Sequence, residues 1–261
     1  VLADNPIILF IGWEGVGVCS YLLIKFYYTN PENVLAGNKA FIVNRIGDFG
    51  FILGVITLFF AVGQGNLSFG SIEANLGNAS NDLLILSGIL LFVGAMGKSA
   101  QIPLFTWLPD AMAGPTPISA LIHAATMVTA GVYMVARFHF LYSGIEEIGT
   151  FIAYIGAFSA LFAAIVATRQ QDIKKILAYS TMSQLGYMFM AVGLGFYSSG
   201  LFHVFTHAFF KAMLFMGAGG MIMALHHEQN IFKMAQNRVH LPIISFCMLV
   251  GVIAISGIPP F

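Results

Sequence analysis

Leu83-Leu84-Ile85-Leu86-Ser87-Gly88-Ile89-Leu90-Leu91-Phe92-Val93-Gly94-Ala95-Met96-Gly97-Lys98-Ser99-Ala100-Gln101-Ile102-Pro103-Leu104-Phe105 decides the fold. It is apolar over a length that crosses a bilayer, which takes about 20 mostly apolar residues in a helix. A lysine sits inside it and a proline follows. Seven further stretches meet the same length criterion, near 5–27, 43–63, 118–138, 148–168, 174–195, 200–225 and 242–261. The connections hold the turn formers: Asn30-Pro31, Gly65-Asn66, Asn75 to Asn81, and Gly114-Pro115-Thr116-Pro117. Strands of an outer-membrane barrel alternate polar and apolar over roughly 10 residues, so these runs exclude one. The expectation is an all-α polytopic membrane protein with eight spans.

Composition agrees. Of 261 residues, 58% are hydrophobic and 8% charged, and the mean hydropathy is +0.86. A soluble domain carries roughly 25% charged residues. With 11 basic and 11 acidic residues and no basic tract, nothing is built to track phosphates, so no nucleic-acid partner is expected. The chain opens on Val1 inside one apolar segment and closes on Gly257-Ile258-Pro259-Pro260-Phe261 inside another, which reads as truncation at both ends. Cys19 and Cys247 lie in apolar runs with no metal-binding spacing, and read as small buried residues. The odd-numbered connections and their flanks carry Lys25, Lys39, Arg45, Arg169, Lys174, Lys175, Lys233 and Arg238, against Arg137 alone on the even ones. Positive charge collects on the cytoplasmic side, so the first segment runs inward.

Three ionisable residues lie deep in apolar segments: Glu14, Lys98 and Lys211. Facing lipid, each costs roughly 2.5–3.5 kcal/mol. They are therefore expected to face one another or a hydrated interior. His203, His207 and Lys211 recur at intervals of four and share one helix face, and His123 opens the fourth segment. Histidine titrates near neutral pH, which suits a proton relay. Other readings stand beside this one: structural ion pairs, a metal on the His203–His207 spacing, or a haem between His123 and His207. Lys211 on the next turn opposes a cation, and a zinc site wants a third ligand. Pro103 should break the third helix just after Lys98, and Gly257-Ile258-Pro259-Pro260 interrupts the eighth. Ser99-Ala100-Gln101-Ile102-Pro103 and Ser256-Gly257-Ile258-Pro259 are five helices apart, the odd offset of an inverted repeat.

Longer motifs carry a resemblance. Trp13-Glu14-Gly15-Val16-Gly17 with Cys19-Ser20-Tyr21-Leu22-Leu23 resembles the subunit L family of respiratory complex I, called subunit 5 in mitochondria. So do Gly97 to Leu104 with Thr106-Trp107-Leu108-Pro109-Asp110-Ala111-Met112, and Ser119 to Val128. Asp172-Ile173-Lys174-Lys175, Leu177 to Thr181, Thr206-His207-Ala208-Phe209-Phe210-Lys211 and His226-His227-Glu228-Gln229-Asn230 fit the same family. The resemblance implies an antiporter-like helical bundle with broken helices and two inverted repeats of five helices, with residues 1–261 forming one proton-translocating domain. It implies a proton path through Glu14, Lys98, His123, Lys174, His203, His207 and Lys211, with Glu14 and Lys98 as a pair; the family's last pumping lysine would lie beyond Phe261.

By the same resemblance the chain is a non-redox subunit of NADH-quinone oxidoreductase without a cofactor of its own. NADH, FMN, iron–sulfur clusters and quinone would belong to other subunits, its partners would be other membrane-arm subunits and the lipid bilayer, and its place the bacterial inner membrane rather than the mitochondrial one. A lysine beside a carboxylate keeps its proton and gives it up when the carboxylate moves away, which would make Glu14 and Lys98 a loading switch. The alternatives are a secondary transporter of the multisubunit sodium/proton antiporter kind, a plastid-type or hydrogenase-linked relative, and a structural scaffold.

Overall fold

The computed structural model describes residues 1–62, 66–234 and 241–259. Gly65, Arg238, Pro260 and Phe261 lie outside the described residues. The helices are α1 (Pro6–Ile24), α2 (Pro31–Val62), α3 (Phe69–Asn75), α4 (Asn81–Lys98), α5 (Trp107–Asp110), α6 (Thr116–Ala124) and α7 (Ala130–Arg137). They continue as α8 (His139–Tyr142), α9 (Glu146–Ala167), α10 (Ile173–Gly193), α11 (Tyr197–Ala224), α12 (Ile231–Met234) and α13 (Pro242–Ile255). Among the described residues there is no strand beyond the isolated pairing of Asp172 with Asn230.

Five of these helices are long and apolar enough to cross a membrane: α1, α2, α4, α9 and α11. The other three expected spans take different forms. The sixth is α10, a full-length helix whose face carries Lys174, Ser180, Thr181 and Gln184. The eighth is the 14-residue α13. The fourth is interrupted between Ala124 and Ala130, which was not expected. There the Thr126 hydroxyl donates to the Leu121 carbonyl at 2.6 Å and the Thr129 hydroxyl to the Ala125 carbonyl at 2.5 Å. The Val128 amide turns back to Ile122 at 3.5 Å. Hydroxyls bonding backward onto backbone carbonyls compete with the helical ladder, and here they leave the Ala124 carbonyl free.

The expected break after Lys98 is present. Ser99 N–H bonds Ala95, Ala100 N–H bonds Gly97, and Gln101 N–H reaches five residues back to Met96. After α13, Ser256, Gly257 and Ile258 repeat this pattern onto Val252, Ala254 and Ile253. Ala100 (φ 48) and Gly257 (φ 64) occupy matching left-handed positions. The two short motifs paired by sequence are thus one helix-ending motif used twice.

Glycines set the closest helix approaches. A Cβ on Gly47 of α2 would lie 3.1 Å from the Cα of Gly97 on α4, and one on Gly156 of α9 would lie 2.6 Å from the Gly186 carbonyl of α10. With no hydrophobic force between helices in lipid, small residues that let backbones touch are what hold them. Outer faces expose Ile11, Phe60, Tyr154, Phe202 and Phe246. Cys19 is also exposed and Cys247 half-buried, both free, so neither is the buried filler the sequence suggested.

Near one end Tyr133 and Arg137 bond the carbonyls of Val1 and Ala3. The opposite end gathers the Lys39–Asp110 ion pair at 2.6 Å and the Asp172–Asn230 pairing. Arg45 and Lys174, read from sequence as loop flanks, are not at the surface of that end: Arg45 lies mid-helix in α2 and Lys174 is buried. Lys25, Lys39, Arg169, Lys175 and Lys233 belong to the connections that the positive-inside rule assigns to the cytoplasm.

Candidate functional site: buried lysines and histidines

The Gly47–Gly97 contact brings the next residue of each helix together. Lys98 is 1% exposed, and its ammonium lies 3.1 Å from Asp48 Oδ2. Trp13 donates its indole N–H to Asp48 Oδ1 at 2.7 Å, and the Lys98 ammonium lies 5.9 Å from the Trp13 ring. Gly17 is one turn from Trp13 on α1, and a Cβ there would come within 2.8 Å of Lys98 Nζ. The Trp107 indole N–H holds the Gly97 carbonyl at 3.0 Å, and Ser159 accepts the Ile102 amide at 3.1 Å, so the broken backbone is satisfied.

Lys98 therefore pairs with Asp48 and not with Glu14, which corrects the expected pair. The reason is helical phase. Trp13 and Gly17 face Lys98, and Glu14, about 100° further round α1, points to Arg45 at 2.9 Å. That contact lacks aligned hydrogen-bond geometry, since Glu14 Oε1 has no hydrogen-bond partner among the described residues. Asp48 was missed by sequence reading. The rule that singled out Glu14 and Lys98, an ionisable residue inside an apolar segment, also selects it.

His123 is completely buried between Trp107 (ring centroids 6.4 Å) and Phe215 (5.7 Å), and neither ring nitrogen has a partner among the described residues. His207 bonds through Nδ1 to the freed Ala124 carbonyl at 2.8 Å. A carbonyl only accepts, so Nδ1 carries a proton; in the neutral ring Nε2 is then an acceptor, and it has no partner among the described residues. His203 lies 6.4 Å from the His207 ring and meets Gln184 Oε1 at 2.7 Å.

Lys211 donates to the Ser180 hydroxyl at 2.6 Å and the Leu177 carbonyl at 3.2 Å. Lys174 donates to the carbonyls of Gly114 (3.1 Å), just before Pro115, and Met112 (3.4 Å), in the 3₁₀ turn Ala111–Ala113. Among the described residues neither lysine has a carboxylate partner. The α11 stripe thus meets a matching polar stripe, Ser180 and Gln184, on α10. Among the described residues no three His, Cys, Asp or Glu side chains cluster to hold a metal.

Residues 3–261 match the model of the family described as NADH:quinone oxidoreductase/Mrp antiporter, TM. NADH-quinone oxidoreductase subunit L of Escherichia coli (strain K12) is 51% identical over 263 residues, covering 99% of this chain and 42% of the relative. Subunit L of Rickettsia bellii is 54% identical over 268 residues, covering 100% and 42%. The chain thus spans less than half the length of these curated relatives. A chain of the Mrp complex from Dietzia sp. DQ12-45-1b superposes with a TM-score of 0.80 at 32% identity, over 85% of this chain and 25% of that one. A chain of an archaeal membrane-bound sulfane sulfur reductase superposes with a TM-score of 0.88 at 26% identity, over 98% and 53%.

Proposed function

Because the chain belongs to the NADH:quinone oxidoreductase/Mrp antiporter transmembrane family, we propose that it forms the proton-translocating domain of subunit L of a bacterial NADH-quinone oxidoreductase. The domain takes in residues 1–261 and sits in the inner membrane against other membrane-arm subunits. NADH, flavin, iron–sulfur clusters and quinone act on those other subunits, and this chain contributes no redox centre.

One observation carries the reading: a lysine and an aspartate paired inside the helix bundle at a helix break, in a chain whose other apolar helices also bury lysines and histidines. Breaking a buried pair by removing one partner costs about 3–5 kcal/mol. A shift of α4 at its break that parts Lys98 from Asp48 leaves the ammonium uncompensated, and its proton departs. His123, with both ring nitrogens free of bonds to the described residues, receives it. His207 and Lys211 continue the line, with His203 beside them and Lys174 toward the cytoplasmic end. Glu14 and Arg45 stand next to Asp48 as its alternative charge environment.

The test is Lys98→Met in the assembled complex, with quinone-linked NADH oxidation and proton translocation measured together. We expect both to fall. Wild-type values for both would remove the proposed role. Sodium/proton exchange, favoured by the likeness to the Mrp complex chain, would instead make transport sodium-dependent; the 51–54% identity to subunit L supports the first reading.

A further inference from the structure

Two clefts at the cytoplasmic end meet at Lys174. One, of about 510 Å³, is lined by Glu32, Lys39, Asp110, Asp172 and Lys175 as well as Lys174. The other, of about 300 Å³, runs from the exposed His227 past Tyr27 and the Gly114–Pro117 backbone to the same lysine. Gln229 stands with Lys174 on the wall common to both. Two of the three ammonium hydrogens of Lys174 are taken by the carbonyls of Met112 and Gly114. The third has no protein partner among the described residues.

The mouth of the second cleft is held in place by built structure. His226 (φ 52) and His227 (φ 68) are consecutive left-handed residues other than glycine, a conformation costing roughly 1–2 kcal/mol each. The His227 amide is tied to Ile222 at 2.8 Å. Behind it, Ile173 N–H bonds the Gln229 carbonyl and Ile231 N–H the Gln171 carbonyl, so the loop is clamped to the start of α10. Glu228 accepts from the amides of Asn230 (2.9 Å) and Gln229 (3.1 Å) and pairs with Lys233 at 3.1 Å. The Asn230 amide foremost, then Lys233, hold its carboxyl below the usual carboxylate range, so it stays ionised. Tyr27 and Lys174 line the cleft with His227, Asp172 and Lys175 line the neighbouring one, and on the loop of His227 stand the Glu228–Lys233 pair and the exposed His226, which does not line the cleft. Of these side-chain types only histidine ordinarily changes charge near neutral pH.

Building on the proton-translocating function argued above, we propose that this cleft is a cytoplasmic proton port, with His227 the group that takes protons from bulk water and passes them to Lys174. One ring nitrogen of His227 gains a proton from water as the other releases one along water in the cleft. The Lys174 nitrogen accepts it after passing its own proton inward toward Lys211, and exchange of the ring's tautomer through water returns the neutral imidazole to its starting form.

The test is His227→Asn in the complete complex, because asparagine accepts the left-handed backbone and does not titrate. Lys98→Met serves alongside, and electron transfer to an artificial acceptor reports assembly. We expect His227→Asn to pump about three- to tenfold more slowly at about pH 8, with the deficit shrinking toward about pH 6 and largely relieved by added imidazole. Normal pumping at both pH values while Lys98→Met is inactive overturns the port and leaves the functional reading standing. An equal loss at both pH values without imidazole rescue marks a structural role only and also overturns it. Normal pumping by Lys98→Met removes the functional reading, and the port with it.

Discussion

Asp48→Asn isolates the charge of the Lys98–Asp48 pair with almost no change of shape. Asparagine keeps the Oδ1 acceptor, so the Trp13 bond at 2.7 Å survives and only the partner of the ammonium is lost. The side chains of the pair are 1% and 4% exposed, so the pair counts as a buried one, with Lys98 also on the wall of a cleft of about 410 Å³. The expected cost is therefore that of leaving one member of a buried pair alone, about 3–5 kcal/mol at most, since Lys98 escapes part of it by releasing its proton. Adding Lys98→Met replaces the ammonium with an apolar chain of similar length and removes the burial penalty. A double-mutant cycle on the thermal inactivation midpoint of the purified complex measures the coupling. Asp48→Asn should lower the midpoint and stop pumping, and the double variant should regain most of the midpoint while pumping stays off. An unchanged midpoint in Asp48→Asn, or a double variant no more stable than the single, would refute the pairing as the element that holds Lys98 charged.

Gly17→Ala puts a methyl group 2.8 Å from Lys98 Nζ, so the flexible end of the lysine must give way and shift relative to Asp48. Slower pumping with normal assembly is the expected result, read as turnover per assembled complex. Glu228 offers a pH test: its carboxyl is held below the ordinary value of 4.5 by the Asn230 amide and Lys233, so its stabilisation of the loop is present above that value. It is lost as pH falls through the lower folded-state value. Hydrogen exchange at the Gln229 and Asn230 amides should quicken there, and Glu228→Gln should abolish the step.

Membrane residence, the helical class and the break after Lys98 were legible in the sequence because each follows from local chemistry: apolar length, and a proline that cannot continue the ladder. The paired helix endings at Ser99 and Ser256 were visible as two short similar motifs, and the structure turned them into one hydrogen-bond pattern. The interruption at Ala125–Thr129 was less legible, because isolated threonines in an apolar run also fit an intact helix, and only the direction of their hydroxyls decides.

The sequence by itself determined which side chains are too polar for lipid: Lys98, His123, His207 and Lys211 are all buried, while Glu14 is half-buried beside the exposed Arg45. Tertiary structure alone decided their partners. Lys98 meets Asp48 rather than Glu14 because α2 and α4 touch at Gly47 and Gly97, while the phase of α1 turns Glu14 toward Arg45. His207 finds its carbonyl because α6 stops at Ala124, and Lys174 finds two where the 3₁₀ turn Ala111–Ala113 ends ahead of Pro115. Burial is a property of one residue and its neighbours along the chain. Pairing depends on helix phase and crossing, which are set by contacts between residues far apart in sequence.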